Sequence, residues 1–154
     1  MYQASQSGSP VIQSLMMAFP QDEAAEAIDT QFMWGDSLMI IPVLEEGATK
    51  VTAYFPSSIW YDLFSFKQLL RSNGVWARLN APSETPYLAI RGGSVIVMQE
   101  PGLSLQETRL NQHHIVFFLD ENQKAVGHFY WKKNSDSRSH YYTFKCSNVS
   151  IDGN

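Results

Sequence analysis

The sequence predicts a mainly β protein with sandwich-like domains, on three observations. Residues 31–62 read as strand, turn, strand, turn, aromatic strand. Aromatic residues make up 13% of the chain, a composition that suits pleated, half-buried surfaces. Most of the other apolar runs are short and bounded by Gly, Pro, Asn or Asp, the residues that punctuate turns.

Taken in order, residues 1–8 are polar and end in Gly8, like the last turn of a helix. The mostly apolar run PVIQSLMMAF, between Pro10 and Pro20, predicts a strand buried on both faces. Residues 22–28 predict a short helix, with Asp22, Glu23 and Glu26 near its positive end; these carboxylates read as a solvated helix start. Ser37 to Leu44 is an apolar strand interrupted only by Pro42, and Glu45-Glu46-Gly47 is its turn. In Lys50 to Phe55, Val51, Ala53 and Phe55 face one way and Thr52 and Tyr54 the other.

Ile59 to Phe64 follows as a neighbouring strand, residues 67–75 as a polar turn or excursion, and Trp76 to Leu79 as a short strand. Thr85 to Arg91 and Ser94 to Gln99 are strands joined by Gly92-Gly93, which permit a tight path. No helix start follows that pair, so it is a turn and not a phosphate cradle. Residues 101–111 read as a linker. Gln112 to Asp120, Ala125 to Trp131 and His140 to Cys146 are the last three strands.

Composition excludes several function classes. A net charge of -4 argues against nucleic acid or an anionic membrane as partner. No apolar run approaches the roughly 18 residues a membrane span needs. The first residues carry neither a basic segment nor an apolar core, so no signal peptide is visible and the chain taken literally is cytosolic. The single cysteine, Cys146, permits no disulfide within the chain and reads as a small buried hydrophobe. Asn148-Val149-Ser150 is a glycosylation sequon that matters only in a secreted protein.

The order F-x-W-G-D-S-L-x-x-x-P-V-L-x-x-G-A in residues 32–48, then V-x-A-Y-F-P at 51–56 and W-Y-D at 60–62, resembles the segment leaving the catalytic barrel of a glycoside hydrolase family 31 α-glucosidase. Arg91-Gly92-Gly93 and the strand after it resemble the family's R-G-G-x-I-x-P-x-Q-x-P, with Val97 where proline is usual. The resemblance covers essentially the whole chain but only the family's C-terminal portion. It implies that residues 1–37 are a remnant of a truncated (β/α)8 barrel, its last strand and a short helix. Residues 38–105 would then be a proximal β-domain, and 106–154 an incomplete distal one. The barrel strand of the family reads P-V-x-R-P-L; here Gln13 and Ser14 replace its arginine and proline. A barrel alone takes about 250 residues, more than this chain has. The resemblance further implies a secretory, lysosomal or cell-surface parent, and the missing catalytic barrel or α-glucoside sugars as partners.

A retaining glycosidase needs two carboxyl groups about 5–5.5 Å apart. The family's nucleophile segment, W-x-D-M-N-E, does not occur here, and no catalytic residue is assigned. Trp34-Gly35-Asp36 corresponds to the motif after the barrel, so Asp36 is expected to fix a turn. Trp60 and Tyr61 are expected to pack between β-domain and barrel, with Asp62 tying down a turn and offering a carboxylate to their polar atoms. The other reading of these aromatics is a platform for sugar faces. Tyr130 to Ser137 resembles the family's Y-W-D-D-G-x-S turn with Lys132, Lys133 and Asn134 in place of its acids and glycine. His113 and His114 are adjacent on a strand and face opposite ways, and His128 has no companion at ligand spacing, so neither metal nor cofactor is expected. A non-catalytic scaffold is therefore the leading expectation. Two alternatives stay open: a free-standing carbohydrate-binding or protein-interaction module using Trp60, Trp76 and Trp131, and a chain that does not fold stably alone.

Overall fold

The computed structural model describes residues 2–80, 85–132 and 139–147. Residues 133–137 of the Tyr130–Ser137 segment and the Asn148 sequon lie outside these residues. The described residues fall into two compact units that divide between Gly92 and Gly93.

The first unit opens with α1 (Tyr2–Ser7), which ends on Gly8 at a φ of 73°. Its amide donates to the Ala4 carbonyl at 2.8 Å. Residues 10–19 depart from the expected continuous strand. Only β1 (Ile12–Ser14) is extended, and α2 (Leu15–Ala18) follows at once. Ser14 causes the break: its hydroxyl accepts from the Met17 amide and caps the helix. The run is not buried on both faces either, since Leu15 and Phe19 go inside while Ile12, Met16 and Met17 stay exposed. The expected helix at 22–28 is the single turn α3 (Glu23–Glu26), capped by Asp22.

β2 (Phe32–Trp34) and β3 (Leu38–Ile41) form a hairpin through Gly35, whose φ of 61° suits a residue without a side chain. Next come β4 (Lys50–Phe55), β5 (Ser58–Asp62), β6 (Gln68–Ser72), β7 (Val75–Asn80) and β8 (Tyr87–Arg91). The strand β6 replaces the expected polar excursion. Its flanking Lys, Asn and Gly mimic a loop, but Leu69 and Leu70 pack against the core and Ser72 is fully buried. The Ser72 hydroxyl donates to the Phe55 carbonyl, which hides the polarity that had suggested solvent.

Six strands form an antiparallel sheet in the order β1-β2-β3-β8-β5-β6, and β4 with β7 forms a two-stranded ribbon. Side chains of both, among them Met33, Met39, Ile41, Phe55, Trp60 and Leu79, share one core, as in a sandwich. Tyr54, expected on the outer face of β4, is also buried.

The second unit contains β9 (Ser94–Gln99), α4 (Leu105–Thr108), β10 (His113–Phe118), β11 (Ala125–Lys132) and β12 (Ser139–Cys146). Its sheet runs β10-β9-β11-β12, with β9 and β11 parallel and the other pairs antiparallel. The strand 94–99, counted with the proximal domain on sequence grounds, is therefore hydrogen-bonded to strands of this unit. The 101–111 linker contains α4, whose Ser104 hydroxyl accepts from the Glu107 amide while the Glu107 carboxylate accepts from Leu103. Gly127 admits Val95 so closely that an added Cβ would lie 2.5 Å from the valine Cβ and 2.8 Å from its carbonyl oxygen. Gly127→Ala is expected to cost about 1–3 kcal/mol of stability, read as a lower urea midpoint.

Candidate functional site

The motif residues of the first unit are held by hydrogen bonds with structural purposes. Trp60 is fully buried, edge-on to Phe55 at 5.7 Å and tilted on Phe19 at 6.2 Å. Its indole N–H donates to the Pro56 carbonyl at 2.9 Å, so the polar atom finds a backbone partner and not the expected carboxylate. A buried Trp60 offers no ring to a sugar. Trp76 is exposed and packs on Tyr54 at 5.5 Å, and Trp131 is half-buried in the second unit beside Phe129 and His113.

Asp62 closes the turn after β5. Its Oδ1 accepts from the Ser65 amide at 2.6 Å and the Ser65 hydroxyl at 2.7 Å, and the Tyr87 hydroxyl donates to the same carboxylate. Burial pushes this carboxyl up, but the bonds from Ser65, Tyr87 and the Phe64 amide outweigh it and hold Asp62 below the usual carboxylate range. Burial and the Asp62 charge push the Tyr87 phenol up to about 12. The two shifts bound a pH window. A depressed carboxylate stabilises the fold above its unfolded pKa of about 4, and that contribution disappears as pH falls through the lower folded value. A raised phenol stabilises below its unfolded pKa of about 10, and that contribution disappears as pH rises toward the folded value. The stability gap between the parent and Asp62→Asn is accordingly expected to be widest between about pH 5 and 9 and to shrink beyond either end. Urea midpoints across pH measure it; a gap independent of pH would refute the pairing.

Asp36 lies in the β2–β3 turn, where its Oδ1 accepts from Gln13 Nε2 at 3.3 Å. The same Gln13 amide donates to the Gly35 carbonyl, so the residue standing where the family has arginine still ties β1 to this turn. Two further polar residues, Asp22 and Gln31, are long-range ties that no local sequence pattern marks. Asp22 caps α3 and also receives the Tyr54 hydroxyl, 2.9 Å from both carboxylate oxygens. Burial, then this carboxylate, raise the Tyr54 phenol above its ordinary range. The buried Gln31 bonds both backbone groups of Tyr54: its Oε1 accepts from the amide at 2.7 Å and its Nε2 donates to the carbonyl at 2.9 Å. One side chain thus occupies the free edge of β4 as a neighbouring strand would.

In the second unit, His113 sits edge-on to Phe129 and Trp131 at 5.2 and 5.0 Å. His114 lies 3.4 Å from Glu100, and His128 stacks on Tyr141 and reaches Thr143. Among the described residues no three His, Cys, Asp or Glu side chains converge as a metal site. Cys146 is a free, half-buried thiol at the end of β12. Among the described residues no helix is long and apolar enough to cross a membrane.

A cleft of about 350 Å³ opens in the first unit between the end of β3, its following turn, and the β4–β7 ribbon. Its lining mixes Ile41, Val43 and Val51 with Lys50, Thr52 and Arg78.

The first unit is thus an open antiparallel β-sandwich in which Asp22 caps a helix and Asp62 closes a turn. Residues 8–96 match the family described as the glycosyl hydrolase family 31 C-terminal domain, and the chain belongs to that family. It is 40% identical over 133 residues to an alpha-glucosidase of Schizosaccharomyces pombe, covering 84% of this chain and 14% of the relative. It is 34% identical over 141 residues to the lysosomal alpha-glucosidase of Rattus norvegicus, with 80% and 15% covered. It is also 36% identical over 158 residues to the intestinal sucrase-isomaltase of Homo sapiens, with 98% and 8% covered. Among solved structures, the glucosidase II alpha subunit superposes with a TM-score of 0.85 at 27% identity, over 95% of this chain and 17% of that one. The chain therefore spans only about one-seventh of the first two relatives.

Proposed function

We propose that this chain is a non-catalytic buttress: it supports the barrel of a family 31 α-glucosidase and supplies no catalytic carboxylate. The observation that carries this reading is an apolar surface on the first unit. Ile12 and Trp34 are direct cross-strand partners at the edge of the six-stranded sheet, 57% and 44% exposed. Met16 and Met17, on the helical turn that follows β1, are 48% and 55% exposed. Large side chains left in water on the segment that resembles the barrel exit suit a surface made to be covered. In this reading the catalytic barrel packs over β1 and α2 and buries the four side chains.

The fates of the acids support the same reading. Asp22, Asp62, Asp120 and Glu107 each accept hydrogen bonds that close a cap or a turn, and Asp36 accepts one that ties β1 to the β2–β3 turn. A carboxylate spent in this way is poorly placed to act as nucleophile or proton donor. The purified chain is expected to leave p-nitrophenyl α-glucoside and maltose unhydrolysed at the rate of buffer. Turnover that survives purification, and falls when Asp36 or Asp62 is replaced, would overturn the reading.

A further inference from the structure

The cleft beside the β4–β7 ribbon carries a charge pattern that a supporting role leaves unused. Lys50 is paired across the ribbon with Asn80, and Thr52 with Arg78. Directly opposed residues and alternate residues along a strand share a face, so Lys50, Thr52 and Arg78 stand together. The two cations are diagonal neighbours, with Cα atoms about 7–8 Å apart. Among the described residues neither makes an ion pair or side-chain hydrogen bond, and both are exposed. Two unpaired like charges at that spacing repel each other, on a chain whose net charge is -4. An anion between them removes the repulsion and gains a guanidinium fork, an ammonium and a threonine hydroxyl as donors.

The rest of the lining narrows the ligand. Val43 and Leu44 present apolar surface. Glu45 enters from the β3–β4 turn and, when ionised, can only accept hydrogen bonds. It rejects a second anionic group nearby and favours hydroxyl donors. The buried Gln31 adds shape but no free polar atom, because Tyr54 takes its amide. We infer that this cleft binds a small polyhydroxylated anion, a sugar phosphate or a sugar acid. Its charged group lies between Lys50 and Arg78, its hydroxyls reach Glu45, and a C–H face rests on Val43 and Leu44. The volume is of monosaccharide size, at the lower end of ligand pockets.

Titration of the 15N-labelled 154-residue chain with glucose 6-phosphate, glucuronate, glucose and inorganic phosphate tests the inference. Saturable shifts at the Val51, Thr52 and Arg78 amides are expected with at least one anionic sugar, and binding at least about tenfold weaker for glucose and for phosphate. Glucose 6-phosphate alone identifies phosphate as the anion, glucuronate alone identifies carboxylate, and both together support the shared chemistry. Lys50→Gln and Arg78→Gln are each expected to weaken binding about fivefold or more, with the spectrum otherwise preserved. Glu45→Gln should weaken the sugars and not phosphate. If Arg78→Gln loses spectral dispersion, Thr52→Val provides the same comparison. Equal binding of inorganic phosphate and glucose 6-phosphate, with no glucuronate binding, means an adventitious ion only and overturns the proposal. So does equal binding of neutral glucose, or the absence of any saturable shift.

Discussion

Trp60→Ala is expected to destabilise the first unit by about 3–5 kcal/mol, the largest loss from any single truncation among the described residues. The indole is wholly enclosed, wedged between Phe55 and Phe19, and is the largest of the fully buried side chains. The alanine variant would leave a cavity bounded by a rigid sheet and would also strand the Pro56 carbonyl that the indole serves. Trp60→Phe keeps much of the volume and loses only the hydrogen bond, so it should cost less than half as much. Urea unfolding followed by far-UV circular dichroism measures both, provided the slope with denaturant is unchanged. If the alanine variant lost under about 1 kcal/mol, Trp60 would be accessible to water and the sugar-platform reading would regain its ground.

Gln31→Leu is expected to cost about 2–4 kcal/mol despite increasing the apolarity of the core. Leucine fits the space approximately but leaves the Tyr54 amide and carbonyl buried with no partner. Each such group forfeits its desolvation cost, roughly 1–3 kcal/mol. Gln31→Glu separates the two bonds: the carboxylate still accepts from the amide but cannot donate to the carbonyl. Its loss should grow as the pH rises through the glutamate's titration, whereas the leucine variant should show no such dependence. A leucine variant as stable as the parent would mean that water, or a shift of β4, satisfies the strand edge.

What was legible in the sequence was local. Alternation in Lys50–Phe55, the turn at Glu45-Glu46-Gly47 and the glycine pair before Ser94 each act within a few residues, and each produced the expected element. The failures involve bonds whose partners lie elsewhere. Ser72 looked like a loop residue because nothing nearby announces the Phe55 carbonyl that buries it. Gln31 and Tyr54 are 23 residues apart, and Asp22 and Tyr54 32 apart, so neither tie leaves a periodic trace. Asp22 was read correctly as part of a helix start, but its second bond was invisible. The break at Ser14 was readable in principle: a serine ahead of a helix-compatible Leu-Met-Met is a cap signal, masked by the apolar run around it. For the site, sequence identified the Asp62 turn but assigned Trp60 the wrong acceptor. The cleft had no sequence signature, because Lys50 and Arg78 meet only through strand pairing.

These residues share one physical character. Gln31, Asp22, Asp62 and Ser72 of the first unit hold strands and turns, while apolar side chains at the β1–β2 edge are left without cover. That asymmetry is what the proposed supporting role requires.

Grafting tests the support role most directly. In the Schizosaccharomyces pombe alpha-glucosidase, the matching C-terminal region would be replaced by this chain, and hydrolysis of p-nitrophenyl α-glucoside compared with an enzyme cut off before that region. The graft is expected to restore turnover that the shortened enzyme lacks, and to lose it again with Ile12→Asp and Trp34→Asp together. A graft as inactive as the shortened enzyme, or one indifferent to both aspartates, would contradict the account.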